Sequence, residues 1–500
     1  MKKEYGMKIV VLGAGTAGLI TALILREKYP TYPITIVKSD TIGIVGVGEG
    51  STEHWAWFMD YVGINNLELL YETKATAKIG ILFKDWHSGP AYVHSISHFT
   101  LSGLNRPELF HHLYLNGNQE DFPLSPHFKP IYSKHLIPTC NNFRSTNQYH
   151  FDTFKLGSYL SKICVDKDIS IEDNIITDVI LNNNGDIHEL VAEQGNISGD
   201  LFIDCSGFKR ILSNKLGNQW VSKTEYLPLN RAIAFPTEQI KNQNIEPYTT
   251  STALSAGWSW RIPTQERYGN GYVFNTGYID SDRALSELSQ TLGVNVEKFA
   301  RDIPFEAGKV DKFWFKNVIS VGLAGSFAEP LEAQSIGFTI VQLQVLLDYL
   351  DAWPLNKNVR ENFNKQMDDI FNNIINYLQL HYLGDRNDTK FWQDKPFKLT
   401  EFNRENLPLF KRGIFLNTEY KDNYMFKLAN FYQVAAGLNL IDKNLLTESL
   451  NLNRVTYNNI NRDRAIEVYN SIKNCTVTSH RDYLNLANYN YLHKRGLNES

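Results

Sequence analysis

Lys8-Ile9-Val10-Val11-Leu12, followed at once by Gly13-Ala14-Gly15-Thr16-Ala17-Gly18, is the stretch that decides the fold. The apolar run reads as a buried strand. The glycines fall at G-x-G-x-x-G spacing, and an apolar helical stretch continues through Leu25. Ile34-Thr35-Ile36-Val37 reads as the next strand. The three glycines do different things. Gly13 permits the tight turn, Gly15 lets backbone amides approach a pyrophosphate, and Gly18 lets helix and strand pack closely. The helix N-terminus then favours the anionic group. G-x-G-x-x-G alone is weak, but here strand and helix flank it correctly. Gly13, Ala14, Gly15, Ala17 and Gly18 are therefore expected to hold a dinucleotide. The acidic residue that should hold the ribose, about 20 residues on, is replaced by Lys38, with Asp40 just beyond.

Two later segments return the chain to the same fold. Residues 201–207 (LFIDCSG) and 318–325 (VISVGLAG) each place a short apolar strand before a glycine turn. They resemble later FAD-contacting motifs of flavoprotein monooxygenases, and that likeness adds Asp204, Gly207, Gly322 and Ala324 to the cofactor site. No second G-x-G-x-x-G occurs in a strand–helix context, so no tight NAD(P)H domain is expected. Reduced FAD would come from a separate flavin reductase.

Composition narrows the class. The 500 residues suffice for roughly two to four domain-sized units. A net charge of -4 gives no basic footprint and argues against nucleic acid. The four cysteines, Cys140, Cys164, Cys205 and Cys475, are far apart and form no CxxC, so neither a zinc site nor a disulfide framework is indicated and a cytoplasmic setting fits. Lys2 and Lys3 before an apolar run could imitate a signal peptide, but the three glycines interrupt that run. No stretch of about 18 apolar residues suggests a membrane span. Asn-, Lys-, Ile- and Tyr-rich usage would suit an AT-rich genome, a virus among the sources, and the cytoplasm would then be the host's.

Elsewhere, residues 151–164 read as a helix and residues 175–191 as a hairpin around Asn183-Asn184-Gly185-Asp186. A turn is expected at Tyr268-Gly269-Asn270-Gly271, and mostly helix from about Ile340 onward. Residues 86–147, with scattered Pro and His, look like an insertion carrying substrate-facing loops.

Gly257-Trp258-Ser259-Trp260-Arg261-Ile262-Pro263 contains WxWxIP. Trp258 and Trp260, at i and i+2 on a strand, share one face and make a bulky wall with Ile262 and Pro263 beside them. With this motif the chain resembles the flavin-dependent tryptophan halogenases across most of its length. Gly46-Val47-Gly48-Glu49-Gly50-Ser51-Thr52 resembles the family's flavin-covering strap, which places Gly48 and Glu49 at the cofactor. Tyr149-His150-Phe151-Asp152, Gly269-Asn270-Gly271-Tyr272-Val273-Phe274, Pro330-Leu331-Glu332 and His381-Tyr382 with Arg386, Asp388 and Phe391-Trp392 resemble further family segments, in the family's order. In that family the tryptophan wall is thought to hinder ordinary monooxygenation beside the flavin.

The resemblance implies a chemistry and assigns residues to it. Reduced FAD, oxygen and halide together give hypohalous acid. A lysine carries it to the substrate, and a carboxylate stabilises the cationic ring or takes its proton. Counting back from Trp86 in Ala77-Lys78-Ile79-Gly80-Ile81-Leu82-Phe83-Lys84-Asp85-Trp86 selects Lys78, read as lying on a strand, with Lys74 and Lys84 as surface residues. Alone, Lys78 would read as a solvent lysine. The family's carboxylate falls on Glu332, with Glu329 as competitor; alone, either would cap a helix beginning near Ala333.

Two departures bear on specificity. The family's Thr-Gly halide turn is here Gln334-Ser335, whose N–H groups are expected to hold the halide; serine in place of glycine restricts the backbone and favours bromide or iodide, with chloride allowed. No tryptophan follows Trp392, which points away from free tryptophan and toward a small indole or other electron-rich arene. His94, His98 and Phe99 fall where the family has an aromatic wall.

The expected architecture is α/β. An FAD-binding Rossmann-like box of the GR2, monooxygenase-like type (1–85 and 149–345) would pack against a substrate-binding insertion and helical C-terminal portion (86–148 and 346–500). No metal, nucleic acid or membrane is expected, and a homo-oligomer is compatible. An aromatic hydroxylase is the competing enzyme, disfavoured by WxWxIP. A catalytically idle FAD-binding protein is the competing non-enzyme, disfavoured by Lys78 with Glu332.

Overall fold

A computed structural model describes residues 6–41, 49–95, 114–115, 133–139, 148–239, 243–296, 298, 301–353, 356, 358–414, 424–451 and 476–495. Its first sheet has six strands in the order Trp314–Phe315, Val318–Ser320, Leu201–Asp204, Ile9–Leu12, Ile34–Lys38, Ser170–Asp173. All neighbours run parallel except the first pair. The Ile9–Leu12 strand is wholly buried, as a parallel strand covered on both faces should be. Helix Thr16–Lys28 follows it, and its buried run from Gly18 to Leu25 packs into the main core.

The second sheet has seven strands in the order Arg301–Pro304, Arg231–Glu238, Arg267–Phe274, Gly257–Pro263, Tyr248–Leu254, Gly80–Lys84, Tyr92–Ser95. Its pairings are antiparallel except that between Tyr248–Leu254 and Gly80–Lys84. Strand Tyr92–Ser95 lies beyond residue 85, so the expected domain boundary falls between two paired strands. A small third sheet joins Glu49–Gly50, Tyr149–Phe151 and Thr76–Ala77.

The hairpin at 175–191 forms as Ile176–Leu181 and Ile187–Ala192, and the helix at 151–164 as Thr153–Asp166, capped by the Asp152 carboxylate. Helices Gln334–Leu350, Val359–Leu380 and Leu428–Gly437 follow the expected helical trend.

Two expectations are corrected. Tyr268-Gly269-Asn270-Gly271 is no turn; it lies within strand Arg267–Phe274. The Trp260 ring covers Gly271 so closely that an added Cβ would collide with it, so this glycine serves close approach rather than chain reversal. Asn270 Nδ2 donates to the Thr237 hydroxyl at 2.9 Å within the sheet. Lys78 is not on a strand. It sits between Thr76–Ala77 and Gly80–Lys84, where its N–H donates to the Gln148 carbonyl at 2.8 Å.

Candidate active site

The three glycine segments meet at the carboxyl ends of adjacent parallel strands, where open α/β sheets bind ligands. Gly13 has φ +112° and an added Cβ would strike the Cys205 carbonyl; at Gly18 it would strike the Gly13 carbonyl. At Gly15 it would meet nothing within 4 Å, and no side chain caps the helix that starts there. Ala17 lies against Gly322, whose φ of +63° turns the chain into the short helix Gly322–Ala324. Gly207 opens the neighbouring helical turn with φ +68°.

Three acids and a lysine surround this region. The Asp204 carboxylate is fully buried and accepts from the Ser206 N–H and hydroxyl and from the Leu212 and Ser213 N–H groups, at 2.6–3.1 Å, so its oxygens hold the turn around Gly207. Lys38 pairs with Asp40 at 2.6 Å, and the Asp40 N–H donates to the Asp173 carboxylate at 3.0 Å. Glu49 accepts from the Thr16 hydroxyl at 3.0 Å, which ties the strap to the glycine loop. Burial pushes its carboxyl up to about 7 against that hydrogen bond. Gly48 lies outside the described residues.

Lys78 is fully buried and its Nζ donates to the Ser51 carbonyl at 3.0 Å. Burial pushes its pKa down to about 8, with Glu332 and Glu53 pulling the other way. An added Cβ on Gly50 would lie 3.3 Å from both Lys78 Nζ and Ala333 Cβ, so strap, lysine and the turn after Glu332 converge on one point. Lys84 is exposed; Lys74 is half-buried, over the Tyr71 ring. The backbone beside Lys78 is fixed by His480 of the last described helix, whose Nε2 accepts from the Ala77 N–H at 3.1 Å while its Nδ1 donates to the Ile245 carbonyl at 3.1 Å. Burial holds that imidazole neutral, its pKa lowered to about 3.

The two carboxylates are both buried but differ in state. Glu332 receives His94 Nδ1 at 2.7 Å on Oε2, and His381 Nε2 at 2.8 Å and the Tyr377 hydroxyl at 3.2 Å on Oε1. Burial alone would raise its pKa; the histidines outweigh that and hold the carboxyl well below the usual range. Glu329 receives the Tyr382 hydroxyl at 2.8 Å, and burial wins, pushing it up to about 8. Trp258 also bears on that carboxyl, although its Nε1 makes no hydrogen bond of good geometry. Neither acid caps the following helix: Glu332 and Ala333 both adopt left-handed backbone, with φ +66° and +52°, and Gln334 opens the helix. Two consecutive non-glycine residues there store strain, a common mark of working sites.

Trp258 and Trp260 lie on one face with ring centroids 6.1 Å apart, with buried Ile262 and Pro263 completing the motif, as the strand period requires. Trp86 continues the wall, 6.3 Å from Trp258 and 6.0 Å from His381. The Gln334 side chain donates to the Glu329 carbonyl at 2.9 Å, and Ser335 is half-buried in ordinary helical backbone. The serine therefore costs the turn no backbone strain, contrary to the expectation. His94 is fully buried within the Glu332 cluster. His98 and Phe99 lie outside the described residues.

The comparisons with known proteins agree with this geometry. The family model for tryptophan halogenase matches residues 8–449. The chain belongs to the tryptophan halogenase family. The tryptophan 6-halogenase ThaL of Streptomyces albogriseolus is 30% identical over 484 residues, covering 88% of this chain and 90% of that protein. Among solved structures, the flavin-dependent halogenase Xcc4156 of Xanthomonas campestris superposes with TM-score 0.81 at 26% identity, covering 97% of this chain and 99% of that one. BrvH, a flavin-dependent halogenase of Brevundimonas sp. BAL3, gives 0.79 at 25%, covering 96% and 99%. This halogenase is thus a flavin-dependent oxidoreductase using reduced FAD, oxygen and a halide. Such enzymes take reduced flavin from a separate reductase and act on small aromatic substrates. The chain's own residues fit FAD: Gly15 leaves open space before an uncapped helix start, beside the turns at Gly207 and Gly322. No helix of the described residues is long and apolar enough to cross a membrane.

Sequence reasoning placed no role on His381, Tyr377, Asn430, Ser51 or His480. His381 and Ser51 were legible only as parts of motifs; Tyr377, Asn430 (whose Nδ2 faces His94 Nε2 at 3.0 Å) and His480 carry no spacing signal, because their partners lie 45 to 403 residues away.

Proposed function

We propose that this halogenase halogenates an indole or other electron-rich arene other than free tryptophan, with Lys78 carrying the halogen and Glu332 supplying the negative charge. The observation that carries this is the convergence of Lys78 Nζ, the strap and the Glu332-Ala333 turn in a buried region. FAD, when bound, supplies with oxygen the oxidising equivalent that converts halide to hypohalous acid. With a pKa near 8, roughly one Lys78 in ten is a neutral amine at pH 7, far more than for an ordinary lysine. That amine reacts with HOX to give Lys-NHX and water, and the arene then exchanges its ring proton for X, restoring Lys-NH2. The Glu332 carboxylate lies within electrostatic reach of Lys78, where an anion favours a cationic ring.

The glycine loop, Lys38, the strap's Glu49 and the Asp204, Gly207, Gly322 and Ala324 turns are proposed to hold the cofactor, and the Gln334 and Ser335 N–H groups the halide. The Gln334 side chain donates to the Glu329 carbonyl, and the preference for bromide or iodide over chloride rests on the departure of Gln334-Ser335 from the family's Thr-Gly turn. The 1–85/149–345 and 86–148/346–500 division is proposed with its first boundary moved past Ser95, because strand Tyr92–Ser95 pairs with Gly80–Lys84, and a cytoplasmic setting suits the free thiols of Cys164 and Cys205. The test is a panel of indoles, phenols and free tryptophan, with a generic flavin reductase, read by mass spectrometry in equal chloride, bromide and iodide. Halogenated indole or phenol is expected. Hydroxylated product without halide dependence would overturn the reading, and dominant chlorination would overturn the halide preference.

A further inference from the structure

The chain that leaves the strap runs along the wall of the buried site and is pinned on either side of one acid. The Ser51 carbonyl accepts from Lys78 Nζ at 3.0 Å. Buried Thr52 packs on the helix that follows Glu332: an added Cβ on Gly337 would collide with Thr52 Oγ1 and crowd Met425 Cε. Three residues on, Trp55 is fully buried between Phe58 and Phe151, with ring centroids at 4.9 and 4.7 Å, and its N–H donates to the Thr52 carbonyl at 3.1 Å. Glu53 lies between these fixed points, at the start of helix His54–Val62. Two residues separate it from the carbonyl that holds Lys78, a span of at most about 7 Å.

An acid at a helix start ordinarily accepts from the N–H groups of the first turn. The Glu53 side chain caps nothing, and among the described residues its carboxylate has no hydrogen bond or ion pair. It is half-buried, and its charge acts on Lys78 and Tyr377, which belong to two other segments of the site. The carboxylate therefore sits toward the space those groups share. The cations around it are committed or distant from it. Lys78 Nζ is held by Ser51. The His54 imidazole lies 3.0 Å from the Thr52 hydroxyl through Nδ1, and burial lowers its pKa and keeps it neutral. Lys427, which acts on His54 through charge, is exposed. A half-buried anion without a partner has given up hydration for nothing in return, and a bound cation would restore the balance.

We propose that Glu53 is a substrate-binding residue that accepts from the ammonium group of an arylalkylamine, whose ring then lies toward Lys78. A carboxylate on the same ligand would face the like charges of Glu53 and Glu332 and would meet only hydrated Lys427 among the described residues. An amine without a carboxylate is therefore the favoured class. The charge-assisted contact also fixes which ring position faces Lys78, since it anchors the arm of the substrate beside the reactive amine.

The inference rests on the reading of Lys78 and Glu332 as the site of arene halogenation, and its test separates the two. Calorimetry on the full chain with FAD compares tryptamine, its neutral isostere 3-propylindole and the anion indole-3-propionate, with tyramine and 4-propylphenol as the phenolic pair. The better of the two amines should bind on the order of 10- to 100-fold tighter than its neutral isostere, and indole-3-propionate should bind weakest. An amine and its isostere binding equally, or neither amine binding, overturns the proposal whatever any variant does. Glu53→Gln should bring the amine down to the level of its isostere; a preference that survives the substitution overturns the assignment to Glu53. In turnover, the ratio of kcat/KM for amine over isostere should fall by the same factor in Glu53→Gln. An unchanged ratio, with both substrates slowed alike, would mean that Glu53 acts through Lys78 alone and would also overturn it. Amine-selective binding without halogenation of any arene would sink the functional reading and leave the ammonium site standing.

Discussion

The glycine loops at the ends of the parallel strands and the polar cluster around Glu332 are both assembled from distant segments, yet by opposite means. The loops work through missing side chains: Gly13 and Gly18 let backbone approach backbone, and Gly15 leaves a space. The cluster works through side chains that satisfy one another, with Glu332, His94, His381, Tyr377 and Asn430 all buried. Each loop's conformation is set by local glycine spacing, and the absent side chains let distant loops meet, as Gly13 does at the Cys205 carbonyl. The cluster is set by partners, and each member's protonation depends on the others.

The hardest test of this contrast is Lys78→Ala. It should abolish product, a loss on the order of 1,000-fold or more, while FAD binding, read by flavin fluorescence, stays intact; full activity would refute the lysine's role. Next, the two acids should behave unequally. Glu332→Gln should lower kcat on the order of 100-fold, whereas Glu329→Gln should change it less than about 3-fold at pH 7, because Glu329 is already uncharged there. The sign of the linkage is testable by thermal melts. A carboxyl raised from 4.5 to about 8 holds its proton in the folded chain and loses it in the unfolded one, so stability falls as pH rises across that window. Glu329→Gln should flatten that part of the curve.

Within the loops, Gly18→Ala should destabilise the fold by about 1–3 kcal/mol through collision with the Gly13 carbonyl. Gly15→Ser should leave the melting temperature nearly unchanged and weaken FAD binding instead. Equal effects of both on stability would erase the distinction between packing glycine and binding glycine. The smallest effect at neutral pH, where its linkage has vanished, concerns His480. Its pKa of about 3 against 6.5 unfolded means that stability is lost as pH falls below 6.5, by about 1.4 kcal/mol per pH unit. Buried His150 adds a loss of the same sign. His480→Gln should remove its share of the slope in acid melts.

What was legible in the sequence follows the same division. The strand–glycine–helix unit and the returns at 201–207 and 318–325 carry their conformational demands in adjacent residues, and the structure places all three at the carboxyl ends of adjacent strands of one sheet. Lys78 by itself looked like a solvent lysine, because nothing adjacent reveals that Ser51 and Gly50 cover its ammonium group. Gly269-Asn270-Gly271 looked like a turn because glycine's uses share one signature; here the reason is the Trp260 ring from the neighbouring strand. The Gln334-Ser335 substitution looked like a backbone constraint, but the left-handed residues are Glu332 and Ala333, one step earlier. His381 and Asn430 meet the site through helices that begin far along the chain, so only three-dimensional proximity exposes their contacts with Glu332 and His94.

The bond from the Ala77 N–H to His480 ties the reactive lysine's backbone to a helix 403 residues later. At roughly 5–20 residues per second of synthesis, that separation is about 20–80 s. The cofactor sheet itself needs strand Val318–Ser320, so a nascent chain that has just completed it still lacks the latch beside Lys78 for the 160 residues from Ser320 to His480, about 8–32 s at that rate.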